Sequence, residues 1–218
     1  MTLDMNVAEI DRPLVVIVDD DEDVRDSLHE LMLSVGLDAK GFGSARELLD
    51  AKLPDRAGCM VVDVRLPGSS GLDLQHHLAT TGNAKPIVFL TGHGDIEMTV
   101  QAMKAGAVDF LTKPVRDQAL LDAVNAGIER DAAWRAESRI VRDYVERHAT
   151  LTSRERQVFR GVALGRLNKQ IAYDLGISEI TVKLHRSSVM RKMQTSTVGE
   201  LIRAWETLPA EVREKTPT

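Results

Sequence analysis

The chain has 218 residues, 43% of them hydrophobic, enough for one or two domains with real cores. Its formal net charge of −5 is unevenly spread. Residues 1–130 carry 22 acids against 12 bases and residues 131–218 carry 11 against 16, so an acidic half precedes a basic half suited to nucleic acid. No apolar run nears the ~20 residues of a membrane helix, and the lone Cys59 cannot build a disulfide framework. The opening MTLDMNVAEIDRP is acidic and lacks the basic start and apolar centre of a signal peptide, so a cytoplasmic protein is expected.

The run LVVIV at 14–18 has strand length and ends in Asp19, Asp20, Asp21, Glu22 and Asp23. A helix follows, with Val24, Leu28, Leu31 and Val35 on one face, and Asp21 is a candidate for its cap. DAKGF at 38–42 is a weaker strand, and Ser44 with Glu47 forms a capping box for the next helix. CMVV at 59–62, in which Cys59 reads as a small buried hydrophobe, ends in Asp63. IVFL at 87–90 ends in Thr91, and VDFL at 108–111 is soon followed by Lys113. Leu72, Leu78, Ile96, Val100 and Met103 supply further helix faces, with Asp95 placed to cap the helix from Ile96.

Alternating strands and helices predict a parallel sheet covered on both faces, which binds ligands at the carboxyl ends of its strands. Asp19, Asp20, Asp63, Thr91 and Lys113 all follow strand ends. Three carboxylates there would hold a hard divalent ion, Mg2+ above all, through oxygen. One carboxylate could then attack a phosphoryl donor while Thr91 and Lys113 hold the transferred oxygens. Taken singly, each residue has a plainer reading as a helix cap or a solvated charge.

From Asp117 onward the stripe Leu120, Val124 and Ile128 predicts a helix that continues into a linker. Section 131–149 balances four acids against four bases, with Asp131–Arg135 and Arg142–Glu146 as opposite charges one turn apart. Trp134, Ile140, Val141, Tyr144 and Val145 leave two alternatives, a solvated helix or a coiled coil with a second copy.

The basic part starts with Thr152 and Glu155 as a capping box. NKQIAYDL then reads as a short helix, GIS as a turn around Gly176, and EITVKLHRSSVMRKM as a second helix capped by Ser178. Ala172 permits close helix approach, and Val182, His185, Val189 and Met193 mark the inner face. This is a helix-turn-helix pattern, whose second helix enters the major groove. A last helix carries Val198, Leu201, Ile202, Trp205 and Leu208, and the tail after Pro209 reads as a frayed end.

VDDD at 18–21, VVDVRLPGSSG at 61–71, FLTGHGD at 89–95 and DFLTKP at 109–114 resemble the receiver domain of two-component response regulators. LTSRERQVF, NKQIA and the segment around GIS resemble the LuxR-type helix-turn-helix of the FixJ/NarL group. The resemblance implies an α/β, flavodoxin-like, doubly wound five-stranded parallel receiver domain over 12–130. It also implies a helical linker over 131–149 and an all-α, four-helix DNA-binding domain over 150–208. Asp63 would be phosphorylated by a sensor histidine kinase, with Mg2+ bound by Asp20, Asp63 and the backbone carbonyl of Arg65 and Asp19 helping through water. Thr91 and Phe110 would form the switch pair, although Phe110 lacks the phenolic hydroxyl many receivers carry. Lys113 would contact the phosphoryl group, its bond to Pro114 often being cis in this family. Arg65 and His93 hold positions that tune dephosphorylation in receivers.

In the second domain the resemblance implies that Lys183, Leu184, Arg186 and Ser187 read bases while Asn168, Lys169, Thr181 and Arg191 meet phosphates. Activation would pair two chains on a two-fold promoter site and engage RNA polymerase. One rival is a Mg2+-dependent aspartyl-phosphate phosphatase, an enzyme that wants a second Asp where Arg65 stands. The other is a constitutive DNA binder that needs no phosphate, against which the intact Asp19, Asp20, Asp63, Thr91 and Lys113 stand.

Overall fold

The computed structural model describes residues 12–81, 85–92 and 96–214. The chain folds as two compact units that meet between Arg135 and Ala136 in sequence. The first unit runs β1 (Leu14–Val18), α1 (Glu22–Ser34), β2 (Asp38–Phe42), α2 (Ala45–Asp50), β3 (Gly58–Asp63), β4 (Arg65–Leu66) and β5 (Ser69–Ser70). It continues with α3 (Gly71–Thr80), β6 (Ile87–Thr91), α4 (Ile96–Lys104), β7 (Asp109–Thr112) and the start of α5 (Asp117–Ala149).

Five parallel strands form one sheet in the order β2-β1-β3-β6-β7. Successive strand residues point to opposite faces, so the continuous apolar runs feed two cores. Val16, Val18, Met60, Val62 and Phe89 belong to one cluster. Val15, Ile17, Cys59, Val61, Val88 and Leu90 belong to the other, with Leu120 and Val124 of α5. A Cβ on Gly127 would lie 2.5 Å from Cys59 Sγ, so only glycine lets α5 approach β3 this closely. Burial pushes the Cys59 thiol up to about 12, leaving it an unreactive core group.

Several expectations need correction. In α1 the buried residues are Leu28 and Met32, while Val35 stands half-exposed at the C-cap, beyond the last helical turn. The stripe Ile96, Val100 and Met103 on α4 faces solvent, and the residue this helix buries is the small Ala102. The hairpin of β4 and β5, turning at Pro67–Gly68 with Gly68 at φ 81°, had no strand-length apolar run to announce it. Glu47 completes only half of its box: its amide donates to Ser44 Oγ, but its carboxylate accepts from Gly43 and not from Ser44. The cap proposed at Asp95, and His93, lie outside the described residues.

The second unit contains the end of α5 with α6 (Ser153–Ala163), α7 (Asn168–Leu175), α8 (Glu179–Met193), α9 (Val198–Thr207) and α10 (Ala210–Glu214). Its core gathers Phe159, Ile171, Val182, Val189, Met193, Leu201 and Trp205. Tyr144 and Val145 of α5 pack against that core, so they are spent within one chain and not on a coiled coil. Trp134 and Ile140 stay about half exposed. Residues after Pro209 are not frayed at once: Val212 and Arg213 donate backbone bonds to the Pro209 carbonyl and start α10. His185 of the expected inner face is only half-buried.

Candidate functional site

The register decides what meets at the sheet edge. Val18 lies opposite Val62 and Asp63 opposite Leu90, so the residues just beyond β1 and at the ends of β3 and β6 are brought level. Asp19, Asp20 and Asp63 each present a carboxylate oxygen, and these oxygens lie within 4.8 Å of one another. Lys113 reaches in from beyond β7, its Nζ donating to Asp19 Oδ2 at 2.6 Å and to Asp63 Oδ2 at 2.5 Å. The Lys113–Pro114 peptide is cis.

Asp19 and Asp63 are buried while Asp20 is exposed. Burial pushes the Asp19 carboxyl above its usual range, even though the hydrogen bond from Lys113 pulls the other way. Burial also opposes the charge on Lys113, but its bonds to both carboxylates outweigh this and hold its pKa above normal. One ammonium therefore bridges two carboxylates and leaves the buried Asp19 short of compensation. A hard cation with oxygen ligands fits that deficit, so the three carboxylates can coordinate a divalent metal.

The loop after β3 is shaped by Asp63 itself, whose Oδ1 accepts the Arg65 amide at 2.8 Å. Ser70 caps α3, donor and acceptor exchanging with Asp73, and thereby closes the hairpin that carries Arg65. Thr91 is fully buried at the end of β6, and its carbonyl accepts the Lys113 amide at 2.7 Å. Phe110 pairs with Phe89 in register, their rings 6.1 Å apart, so it is a partly buried member of the core layer beneath the edge. Asp21 is the N-cap of α1 and accepts the amides of Asp23 and Val24.

In the second unit Gly176 adopts φ 63° between α7 and α8, and Ser178 caps α8. Val182, Val189 and Met193 turn inward, fully buried. Lys183, Leu184, Ser187 and Arg191 face solvent along the other side of α8, as does Lys169 on α7. Thr181 shares a hydrogen bond with Ser178 at 2.9 Å. Arg186 does not stand free beside them: its Nη1 donates to Asn168 Oδ1 at 3.1 Å, tying α8 to the start of α7.

Other residues carry more than their local pattern suggested. Glu155 is a helix cap, but its carboxylate also accepts from Ser188 Oγ at 2.6 Å and Lys192 Nζ at 2.7 Å, fastening α6 to α8. Burial opposes its charge, yet these bonds from Lys192, Ser188 and Thr152 pull its pKa to about 2. A Cβ on Gly161 would sit 2.9 Å from Ile171, so α6 and α7 touch there. Asp131, expected to face Arg135 one turn along, is 1% exposed and accepts from Gly58 N, Lys85 Nζ and Arg135 Nε. Gly58 and Lys85 are distant from it in sequence, and only Arg135, four residues on, carried a signal.

A doubly wound domain with clustered carboxylates and a lysine at its sheet edge, followed by a helix-turn-helix, defines a signal-receiving DNA-binding regulator. Residues 15–125 match the response regulator receiver domain and residues 149–204 match the bacterial regulatory proteins of the luxR family. Nodulation protein W of Bradyrhizobium diazoefficiens is 53% identical over 197 residues, 90% of this chain and 87% of that one. Response regulator protein TodT of Pseudomonas putida is 45% identical over 195 residues, 89% and 86% of the two chains. The solved structure of the response regulator StyR is similar at TM-score 0.79 and 44% identity, covering 89% of this chain and 98% of that one. The chain therefore belongs to the two-component response regulators of the FixJ/NarL group, which join a receiver domain to a LuxR-type helix-turn-helix. Membership assigns it a sensor kinase upstream and DNA downstream, and sets it among regulators and not among phosphatases that turn over a substrate.

Proposed function

We propose that a sensor histidine kinase phosphorylates Asp63, and that the phosphorylated receiver drives two chains to pair on promoter DNA. The observation that carries this reading is the convergence of Lys113 Nζ on both Asp63 and Asp19. An Asp63 carboxylate oxygen attacks phosphorus, the phosphorus–nitrogen bond of the kinase phosphohistidine breaks, and the imidazole leaves with the bonding pair. Mg2+, held by Asp19, Asp20, Asp63 and the Arg65 carbonyl, would neutralise the phosphoryl oxygens. Lys113 keeps its ammonium directed at the position those oxygens take, and the Thr91 hydroxyl donates to one of them. Thr91 and Phe110 then report the change to the receiver surface by a population shift, so some active form exists without phosphate.

The proposed receiver spans 12–130, the linker 131–149 and the DNA-binding domain 150–208. Lys183, Leu184, Arg186 and Ser187 would read bases, and Asn168, Lys169, Thr181 and Arg191 would position the phosphates. The exposed apolar face of α4 supports pairing of two receivers, and RNA polymerase is the partner of the bound dimer. Among the described residues no helix is long and apolar enough to cross a membrane, which supports the proposed cytoplasmic location. Incubation with a radiolabelled small phosphodonor tests the central step. The native chain takes up label in the presence of Mg2+ and Asp63→Asn takes up none; persistent labelling of that variant would put the nucleophile elsewhere.

A further inference from the structure

The cation site depends on where the Asp19–Asp20 turn points, and the structure supplies a brace for that turn. Arg25, one turn into α1, folds its side chain back so that Nη1 donates to the Asp19 carbonyl at 2.7 Å. Asp19 is held twice more. Its amide donates to the Phe42 carbonyl at 3.1 Å, and its Oδ1 accepts the Asp21 amide at 3.0 Å.

The carbonyl of Asp19 lies in the planar peptide joined to Asp20, so a bond to it sets the direction in which Asp20 leaves. The arginine runs alongside Gly41 of β2 and Gly43 just beyond it. A Cβ on Gly41 would lie 3.6 Å from Arg25 Cδ, and one on Gly43 3.7 Å from Arg25 Nη1, both ordinary contact distances, so only a side chain longer than alanine crowds the guanidinium stem. Glu47 fastens the far side of that path by accepting the Gly43 amide at 2.8 Å. A guanidinium suits this place because it stays charged and donates along a rigid fork, whereas a lysine offers a point charge on a flexible stem.

We propose that Arg25 is a positioning residue for the divalent-cation site: it locks the Asp19–Asp20 peptide so that both carboxylates converge with Asp63. The proposal rests on the reading of Asp19, Asp20 and Asp63 as that site. Partners behind the metal ligands commonly change metal affinity by about 10–100-fold when removed, and Arg25→Ala is expected to weaken binding at the low end of that range.

Titration of the full chain with Mn2+, counting free ion by electron paramagnetic resonance well below the melting temperature, tests it. Arg25→Ala binds about tenfold more weakly, Arg25→Lys falls between it and the native chain, and Gly41→Leu, which keeps the arginine but obstructs its stem, also binds more weakly. Asp19→Asn is the reference for loss of a ligand. Native affinity in Arg25→Ala alongside a weakened Asp19→Asn overturns the proposal alone. Native affinity in Asp19→Asn overturns the cation-site reading beneath it. Should Arg25→Ala lose its far-ultraviolet circular dichroism, Arg25→Lys and Gly41→Leu decide the matter by the same criterion.

Discussion

Lys113 Nζ and Asp63 Oδ2 lie 2.5 Å apart although 50 residues separate them in the chain. The pair makes stability at this edge depend on both lysine and metal. Without metal, Lys113→Ala leaves two buried carboxylates without their cation and should cost about 2 kcal/mol. Mg2+ should raise the melting temperature of the native chain by binding the folded state, and should recover part of the loss in the variant. Thermal melts with and without Mg2+ measure both; a melting temperature indifferent to Mg2+ would remove the metal from the site.

Glu155 predicts how the second unit responds to acid. Its folded pKa of about 2 lies below the ordinary 4.5, so its contribution is fully present above that ordinary value and is lost as pH falls towards 2. The shift corresponds to about 3 kcal/mol at most. Glu155→Gln should therefore be less stable at neutral pH, and its deficit should shrink between about pH 5 and pH 2. Urea unfolding of both proteins across that range checks the sign.

Lys183 and Arg186 share α8 but differ in freedom, since Asn168 holds one guanidinium nitrogen of Arg186. Lys183→Ala should weaken binding to a specific site by about 1–3 kcal/mol and relax discrimination there. Loss of Arg186 and loss of Asn168 should be non-additive, because the two residues share a bond. Gel-shift affinities for the two single variants and the double variant, at one salt concentration, give the coupling. An unchanged affinity in Lys183→Ala would remove α8 as the reading helix.

On α4, Ile96 is 81% exposed, and Val100 and Met103 are close to half exposed. A charge placed there cannot disturb the core but would oppose burial against a second copy. Ile96→Glu should keep the monomer fold and weaken dimerisation in the presence of a phosphoryl mimic by tenfold or more, about 1.4 kcal/mol. Sedimentation velocity with and without the mimic measures it.

β1, β3 and β6 followed from local pattern because a parallel sheet buried on both faces demands continuous apolar runs, whereas the β4–β5 hairpin carries none. The same rule put Asp19, Asp20, Asp63, Thr91 and Lys113 at one edge, where the register brings the carboxylates and Lys113 together. Caps at Asp21, Thr152 and Ser178 are equally local, since a helix start needs acceptors within a turn or so. Periodicity misled where it could not say which face is covered. The stripe of α4 points outward because the helix turns its small Ala102 to the core, and Tyr144 and Val145 meet a core whose position the linker pattern does not encode.

The residue string therefore carried the two fold classes, the helix-turn-helix punctuation and the chemistry of the strand-end carboxylates, all of which depend on neighbours in sequence. Folding alone settled which polar groups share a bond: Lys113 with Asp19 and Asp63, Asp131 with Gly58 and Lys85, Glu155 with Ser188 and Lys192, Arg186 with Asn168. Such pairs join residues tens of positions apart, and a pattern read along the chain holds no distances across it. The run of acids after β1 shows both sides of this. Its cap at Asp21 could be read locally, whereas the brace from Arg25 onto the Asp19 carbonyl needed α1 to lie beside Gly41 of β2 and Gly43 just beyond it.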